Sequence, residues 1–184
     1  MKNTRKLTFS AIAIALATVT SMLKLFDMPM GGSVTLFSMF MITLVGYWFG
    51  LGTGLCAAIA YGLLQLIIDP YFLSIPQILI DYVFAFGAMG LSGLFANRKY
   101  GLQIGYLVGI TGRFIFSVIS GVVFFAAYAP EDMHPLIYSA LYNGSYIYAE
   151  GAITLILISI PAVQRALQYT KSLTTGQREA SSEA

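Results

Sequence analysis

Apolar runs close to twenty residues long follow one another along this chain, with only short turn signals between them. A helix that crosses a bilayer needs ~20 mostly apolar residues. Lipid offers no hydrogen bonds to the backbone, so a spanning run must satisfy its own N–H and C=O groups, which favours the helix. Six runs fit this description, at about residues 7–26, 33–49, 51–68, 76–96, 102–128 and 136–166. The breaks carry turn chemistry: Pro29 with Gly31 and Gly32, Gly50 with Gly52, Asp69 with Pro70, Asn97 to Gly101, and Pro130 to Pro135. The second and third runs are parted by glycine alone, without a charge.

Charged residues make up 10% of the chain and hydrophobic ones 58%, with mean hydropathy +0.78. A soluble domain carries about 25% charged residues, so this surface must be covered by lipid. The expected fold is an all-α integral membrane bundle of six transmembrane helices over residues 1–169. A polar cytoplasmic tail, 170–184, is too apolar-poor to order itself. Lys2, Arg5 and Lys6 ahead of an apolar run, with Ala15, Leu16 and Ala17 resembling a cleavage site, imitate a signal peptide. The run continues to Phe26, which favours a retained helix.

Positive charge orients the bundle. With both termini inside, Lys2, Arg5, Lys6, Arg98, Lys99, Arg165, Lys171 and Arg178 are cytoplasmic, and Asp27, Asp69, Glu131 and Asp132 fall outside with Lys24. The net charge of +2 gives no reason to expect nucleic acid. Cys56 is alone, so an internal disulfide is excluded, and no Cys/His spacing suggests a metal. Neither a catalytic constellation nor a Walker motif is present, so no enzyme and no cofactor is expected. His134 reads as an exposed loop residue.

Ionisable groups inside the hydrocarbon are costly and call for a reason. There are three: Asp81, Arg113 and Glu150. At ~1.5 Å per residue, Asp81 lies roughly 8 Å below the outer surface, Arg113 roughly 22 Å and Glu150 roughly 21 Å. The matched depths on consecutive helices suggest a structural ion pair between Arg113 and Glu150; a role in gating or ion coupling is the other reading. Asp81 has no basic partner at its depth. An outward carboxylate suits a cationic ligand, and Tyr71, Tyr82, Phe84 and Phe86 follow the same stretch of chain. Tyr138, Tyr142, Asn143 and Tyr146 sit in the outer half of the last run. Aromatic faces attract cations, and Asn143 offers donor and acceptor to a nitrogen heterocycle. Tyrosines near helix ends also form interfacial belts; Asp81 tips the reading toward a binding site.

Small residues recur every four positions, at Ala11 and Ala15, at Gly46, Gly50 and Gly54, and at Gly101, Gly105 and Gly109. Such stripes let helices approach closely, within the chain or against a partner. No longer repeat is evident, which argues against an inverted-repeat carrier.

Several of these stretches resemble one family. Tyr71 through Tyr82 (YFLSIPQILIDY) is similar to the start of helix 4 in thiamine-specific S components of energy-coupling factor transporters, the ThiT/YuaJ family. Arg113 through Phe125 with Tyr128 to Pro130, Ile137 to Ser139 with Tyr142 and Asn143, and Met28 through Val34 resemble other family segments. The resemblance covers about residues 5–160. It implies six helices, both termini inside, in a bacterial plasma membrane, with thiamine bound between the outer halves of helices 4, 5 and 6. Asp81 then faces the thiazolium, and Tyr71, Tyr82, Tyr138 and Asn143 stand at pocket positions. Ser117 stands where relatives have a pocket histidine, and Phe125 where tryptophan can occur. Ala11 and Ala15 match a stripe that docks the transmembrane coupling subunit, which works with two ATPase subunits.

The implied function is capture of extracellular thiamine for ATP-driven import. Two transport alternatives stand beside it: an S component for a thiamine precursor or another heterocycle, motivated by Ser117, and a stand-alone proton-coupled carrier using Asp81 or Glu150. Phosphorylated thiamine is disfavoured, because no basic cluster lines the expected pocket.

Overall fold

The computed structural model describes residues 2–28 and 32–176. The turn residues Pro29 and Gly31 and the tail from residue 177 onward, including Arg178, lie outside the described residues. The described chain is mostly helical: α1 (Lys2–Met22), α2 (Ser38–Phe49), α3 (Leu51–Ile68), α4 (Ile75–Phe95), α5 (Gly101–Phe124), α6 (Pro135–Ser159) and α7 (Pro161–Thr175).

Three of these, α3, α4 and α5, are long and apolar enough to cross a membrane. The count rises to four if α6 and α7, bent by 86° at their junction, form one span. Among the described residues, the expected count of six spans is thus not confirmed by length and composition. The shortfall is clearest at α2, whose 12 residues reach only ~18 Å at ~1.5 Å per residue.

Boundaries differ from those read in the sequence at both ends and in the tail, where the stretch expected to lack order from residue 170 is helical to Thr175. Residues 23–28 and 32–35 are not helical: β1 (Lys24–Asp27) and β2 (Ser33–Thr35) pair antiparallel as a hairpin, Lys24 with Thr35, Phe26 with Val34 and Asp27 with Ser33. All four β1 residues are exposed. An apolar run alone does not distinguish helix from strand, and here the hairpin satisfies the backbone that a longer helix would have carried. At the other end, the sixth run does not continue straight to residue 166. Pro161 lacks the N–H a helix interior needs and takes the first turn of α7 instead.

The remaining breaks follow local chemistry. Gly50, at φ 84°, makes the charge-free turn between α2 and α3; an L side chain rarely adopts that conformation. Ser74 caps α4 by accepting from the Gln77 N–H at 3.3 Å, with Pro76 in the first turn. His134 caps α6: its Nδ1 accepts from the Leu136 N–H at 3.2 Å, with Pro135 next.

Small residues close the bundle from within. A Cβ on Gly54 would lie 2.7 Å from Gly46 Cα, and one on Gly105 2.8 Å from Ser92 O. Those glycines serve packing inside the chain. Ala13 and Ala17 of α1 are buried, whereas Ala11 and Ala15 are exposed. Cys56 is exposed on α3. The core gathers Tyr61, Met39, Ile42, Tyr106, Ile110 and Ile147 between the helices.

α4 changes its winding along its length. It is α-helical over Ile75–Ile78, a π-helix over Leu79–Phe84, α-helical over Ala85–Gly87 and a 3-10 helix over Ala88–Phe95. The π turn carries Asp81 and Tyr82. Such turns widen a helix locally and recur at functional sites.

Candidate functional site

A cavity of about 270 Å³ opens among α4, α5, α6, the α3–α4 loop and the hairpin. Asp81, Tyr82, Tyr71, Tyr138, Asn143, Ser117 and Phe125 all line it. The local reasons are periodic. On α6, Tyr138, Tyr142, Tyr146 and Glu150 recur every four residues and so share one face. On α5, Arg113, Ser117 and Gly121 do the same. The π turn of α4 sets the angle from which Asp81 and Tyr82 enter.

The α4 wall is tied to the loop before it. Gln77 Nε2 donates to Asp81 Oδ2 at 2.6 Å and to the Tyr71 carbonyl at 3.2 Å. Its Oε1 accepts from the Leu73 N–H at 3.1 Å. The Tyr82 hydroxyl donates to the Asp69 carbonyl at 3.2 Å and accepts from the Tyr71 N–H at 2.9 Å. Tyr82 thus staples the loop with its hydroxyl and offers its ring, stacked on Phe86 at 6.2 Å and 9°.

Aromatic rings continue around the cavity. Tyr71 meets Phe125 at 5.6 Å, and its hydroxyl lies 3.3 Å from that of Tyr128. Tyr138 stacks on Tyr142 at 6.2 Å, and Tyr142 meets Tyr146 edge-on at 5.8 Å. Asn143 is engaged with its neighbours: Nδ2 donates to the Ser139 carbonyl at 2.9 Å, and Oδ1 accepts from the Tyr146 hydroxyl at 2.8 Å. It braces the aromatic ladder, and a ligand must share or replace those bonds.

The expected contact between Arg113 and Glu150 is absent: among the described residues no salt bridge joins them. The Glu150 carboxylate accepts instead from the Thr35 N–H at 3.1 Å, the Thr35 hydroxyl at 2.6 Å and the Met39 N–H at 3.2 Å. It ties β2 and the N-terminal turn of α2 to α6, where a negative charge also suits the helix dipole. Arg113 lies over the Phe86 ring, 4.4 Å from its centroid, a cation–π placement. Both side chains line the same cavity without forming a pair. Equal depth on neighbouring helices does not fix rotation, and the hairpin that captures Glu150 was hidden by its apolar strand.

Several lining groups were not singled out as site residues. Gln77 stands four residues before Asp81, a helical spacing that could have flagged it. Thr35, and Gly32, whose N–H donates to the Tyr142 hydroxyl at 2.9 Å, arrive from the hairpin and left no such signal. Ala11 and Ala15 lie away from this cavity. Ala11 borders a separate apolar groove of about 430 Å³ between α1 and α3, with Leu7, Ile14, Ala57 and Ala60.

The family model described as "Thiamine transporter protein (Thia_YuaJ)" matches residues 7–170. The thiamine transporter ThiT of Bacillus subtilis (strain 168) is 34% identical, over 82% of this chain and 84% of that protein. A second protein of the same name, from Lacticaseibacillus paracasei, is 27% identical over 46% of this chain and 48% of its own. A solved structure of ThiT from Listeria monocytogenes superposes with a TM-score of 0.72, covering 88% of this chain and 97% of that one. At 24% identity this last likeness speaks to the fold. A transporter rather than an enzyme, and a multi-pass protein of the bacterial membrane, the chain belongs to the thiamine transporter protein (Thia_YuaJ) family.

Proposed function

We propose that this chain captures thiamine from the outer side of the membrane and delivers it inward as the substrate-binding subunit of an ATP-driven energy-coupling factor importer. The observation that carries the reading is Asp81: a carboxylate on the wall of an aromatic cavity that, among the described residues, accepts one hydrogen bond, from Gln77. A carboxylate can accept about four. The unused capacity suits a cationic ring, and the Tyr71, Phe125, Tyr138 and Tyr142 rings suit flat heterocycles. The thiazolium of thiamine goes to Asp81, and its aminopyrimidine to the Asn143 and Ser117 side. The relatives named above are thiamine transporters, which supports the same ligand.

Partner docking belongs to α1. Ala11 and Ala15 are exposed on it, and Ala11 borders the α1–α3 groove. Small side chains there let a helix of a transmembrane coupling subunit approach closely, and that subunit connects to two ATPases. The cavity opens at the hairpin end, which faces outward with both termini inside; the Arg98, Lys99 and Arg165 cations then lie inside.

Calorimetric titration of the detergent-purified chain with thiamine tests the ligand. A saturable, one-to-one heat is expected; its absence in folded protein, or a precursor that outcompetes thiamine, reassigns the substrate. For the partner, Ala11→Trp with Ala15→Trp is expected to abolish uptake in cells that contain the ATPases while leaving thiamine binding intact. Uptake that persists without the ATPases and collapses with the proton gradient points to a stand-alone carrier instead.

A further inference from the structure

We infer that Gln77 is the positioning residue of the cation site, setting the Asp81 carboxylate and the Tyr71 loop in one fixed relation. This inference rests on the reading of Asp81 as the cation's partner.

Gln77 is 1% exposed, and its side-chain amide is directed at three groups, on Asp81, Tyr71 and Leu73. Its Nε2 donates to Asp81 Oδ2 at 2.6 Å and to the Tyr71 carbonyl at 3.2 Å, while Oε1 accepts from the Leu73 N–H at 3.1 Å. The orientation of the amide is not arbitrary. An ionised carboxylate and a carbonyl only accept, and a backbone N–H only donates, so one placement of nitrogen and oxygen satisfies all three contacts.

The location makes the contact consequential. Gln77 and Asp81 straddle the junction between the α-helical and π-helical turns of α4, where the winding is irregular. A carboxylate has two oxygens and a free side-chain rotation. Holding Oδ2 leaves Oδ1 as the oxygen available to a ligand cation, and the same amide holds the loop that presents the Tyr71 ring. The charged and the aromatic halves of the cation site are thereby set at one separation. Preorganisation of this kind raises affinity by removing the ordering cost from the binding step.

Gln77→Met keeps the length and volume of the side chain and removes the amide. Its readout is the preference for thiamine over a neutral analogue in which a thiophene replaces the thiazolium, measured by calorimetric competition on the detergent-purified full chain beside wild type and Asp81→Asn. Gln77→Met is expected to weaken thiamine about tenfold while leaving the neutral analogue within about twofold, so that the preference falls about tenfold. Gln77→Asn, whose shorter amide cannot span both targets, is expected to move the preference in the same direction and serves if the methionine variant does not fold. If both ligands weaken in parallel and the preference is kept, Gln77 supports the fold only and the inference is overturned. If Asp81→Asn loses the preference while both Gln77 variants keep it, the inference alone fails. If Asp81→Asn also keeps it, the cation reading fails with it.

Discussion

Two carboxylates line one cavity and differ in how much of their hydrogen-bonding capacity the protein consumes. Glu150, on α6, accepts three bonds from Thr35 and Met39, and it is 3% exposed. Asp81, on α4, accepts one among the described residues, from Gln77, and is only half-buried. The first is saturated from within the chain and fastens the hairpin and α2 to the α6 wall. The second is oriented and left open. The presence of an ionisable group in a membrane segment therefore does not reveal its role; the number of its protein partners does. A buried charge that the fold already satisfies is architecture, whereas one with spare capacity in a cavity is available to a ligand.

The contrast can be broken at its structural side first. Glu150→Ala leaves the Thr35 and Met39 N–H groups without their acceptor in a buried place. A loss of roughly 3 kcal/mol is expected, at the level of two unsatisfied donors. Thermal unfolding in detergent, monitored by circular dichroism, measures it. A melting point equal to wild type would show that the three bonds are not needed to hold the hairpin and α2 in place.

Tyr82→Phe sharpens the division of labour on the α4 wall. It removes the hydroxyl that joins Asp69 and Tyr71 but keeps the ring on Phe86. The expected cost is about 1 kcal/mol, read as a roughly fivefold weaker thiamine affinity with unchanged stoichiometry. An effect as large as loss of the Asp81 charge would mean that the hydroxyl itself contacts the ligand.

The smallest effect is expected at Lys24. It meets Asp27 at 3.3 Å and Asp69 at 3.4 Å, and all three side chains are well exposed. Exposed pairs contribute little, so Lys24→Gln should change stability by less than about 0.5 kcal/mol. The hydrogen bond to Asp27, helped by the charge of Asp69 against some desolvation, raises the Lys24 pKa above its ordinary 10.5. What the cluster contributes is thus present below pH 10.5 and fades as pH rises beyond it. Melting points at pH 7 and pH 11 for wild type and variant check both sign and size.

These sites were not equally legible in the amino-acid sequence. Asp81 announced itself as a carboxylate in an apolar run, and the tyrosines at four-residue spacing on α6 placed one face toward a common centre. The charge-free turn at Gly50 was readable because glycine marks such places. The break at Pro161 was not read, although proline commonly ends a helix, because the apolar residues on either side suggest continuity. The hairpin was not readable: Leu23, Leu25 and Phe26 extend the first apolar run, and its pairing with Ser33 to Thr35 is a tertiary choice. With the hairpin hidden, the partners of Glu150 were hidden, and Arg113 stood as the nearest opposite charge. The π turn leaves no compositional mark, since Leu79 to Phe84 would suit an ordinary α-helix.

The most direct measurement is a calorimetric titration of thiamine into wild type, Asp81→Asn and Glu150→Gln, each purified in detergent and confirmed folded by its melting curve. Expected are an affinity about 100-fold weaker for Asp81→Asn, the scale of removing one buried charge partner. The Asp81→Asn melting point should stay near wild type. Glu150→Gln should melt lower yet bind within about threefold of wild type. Wild-type affinity in Asp81→Asn, or an equal loss in a folded Glu150→Gln, would contradict the assignment of the cation to Asp81.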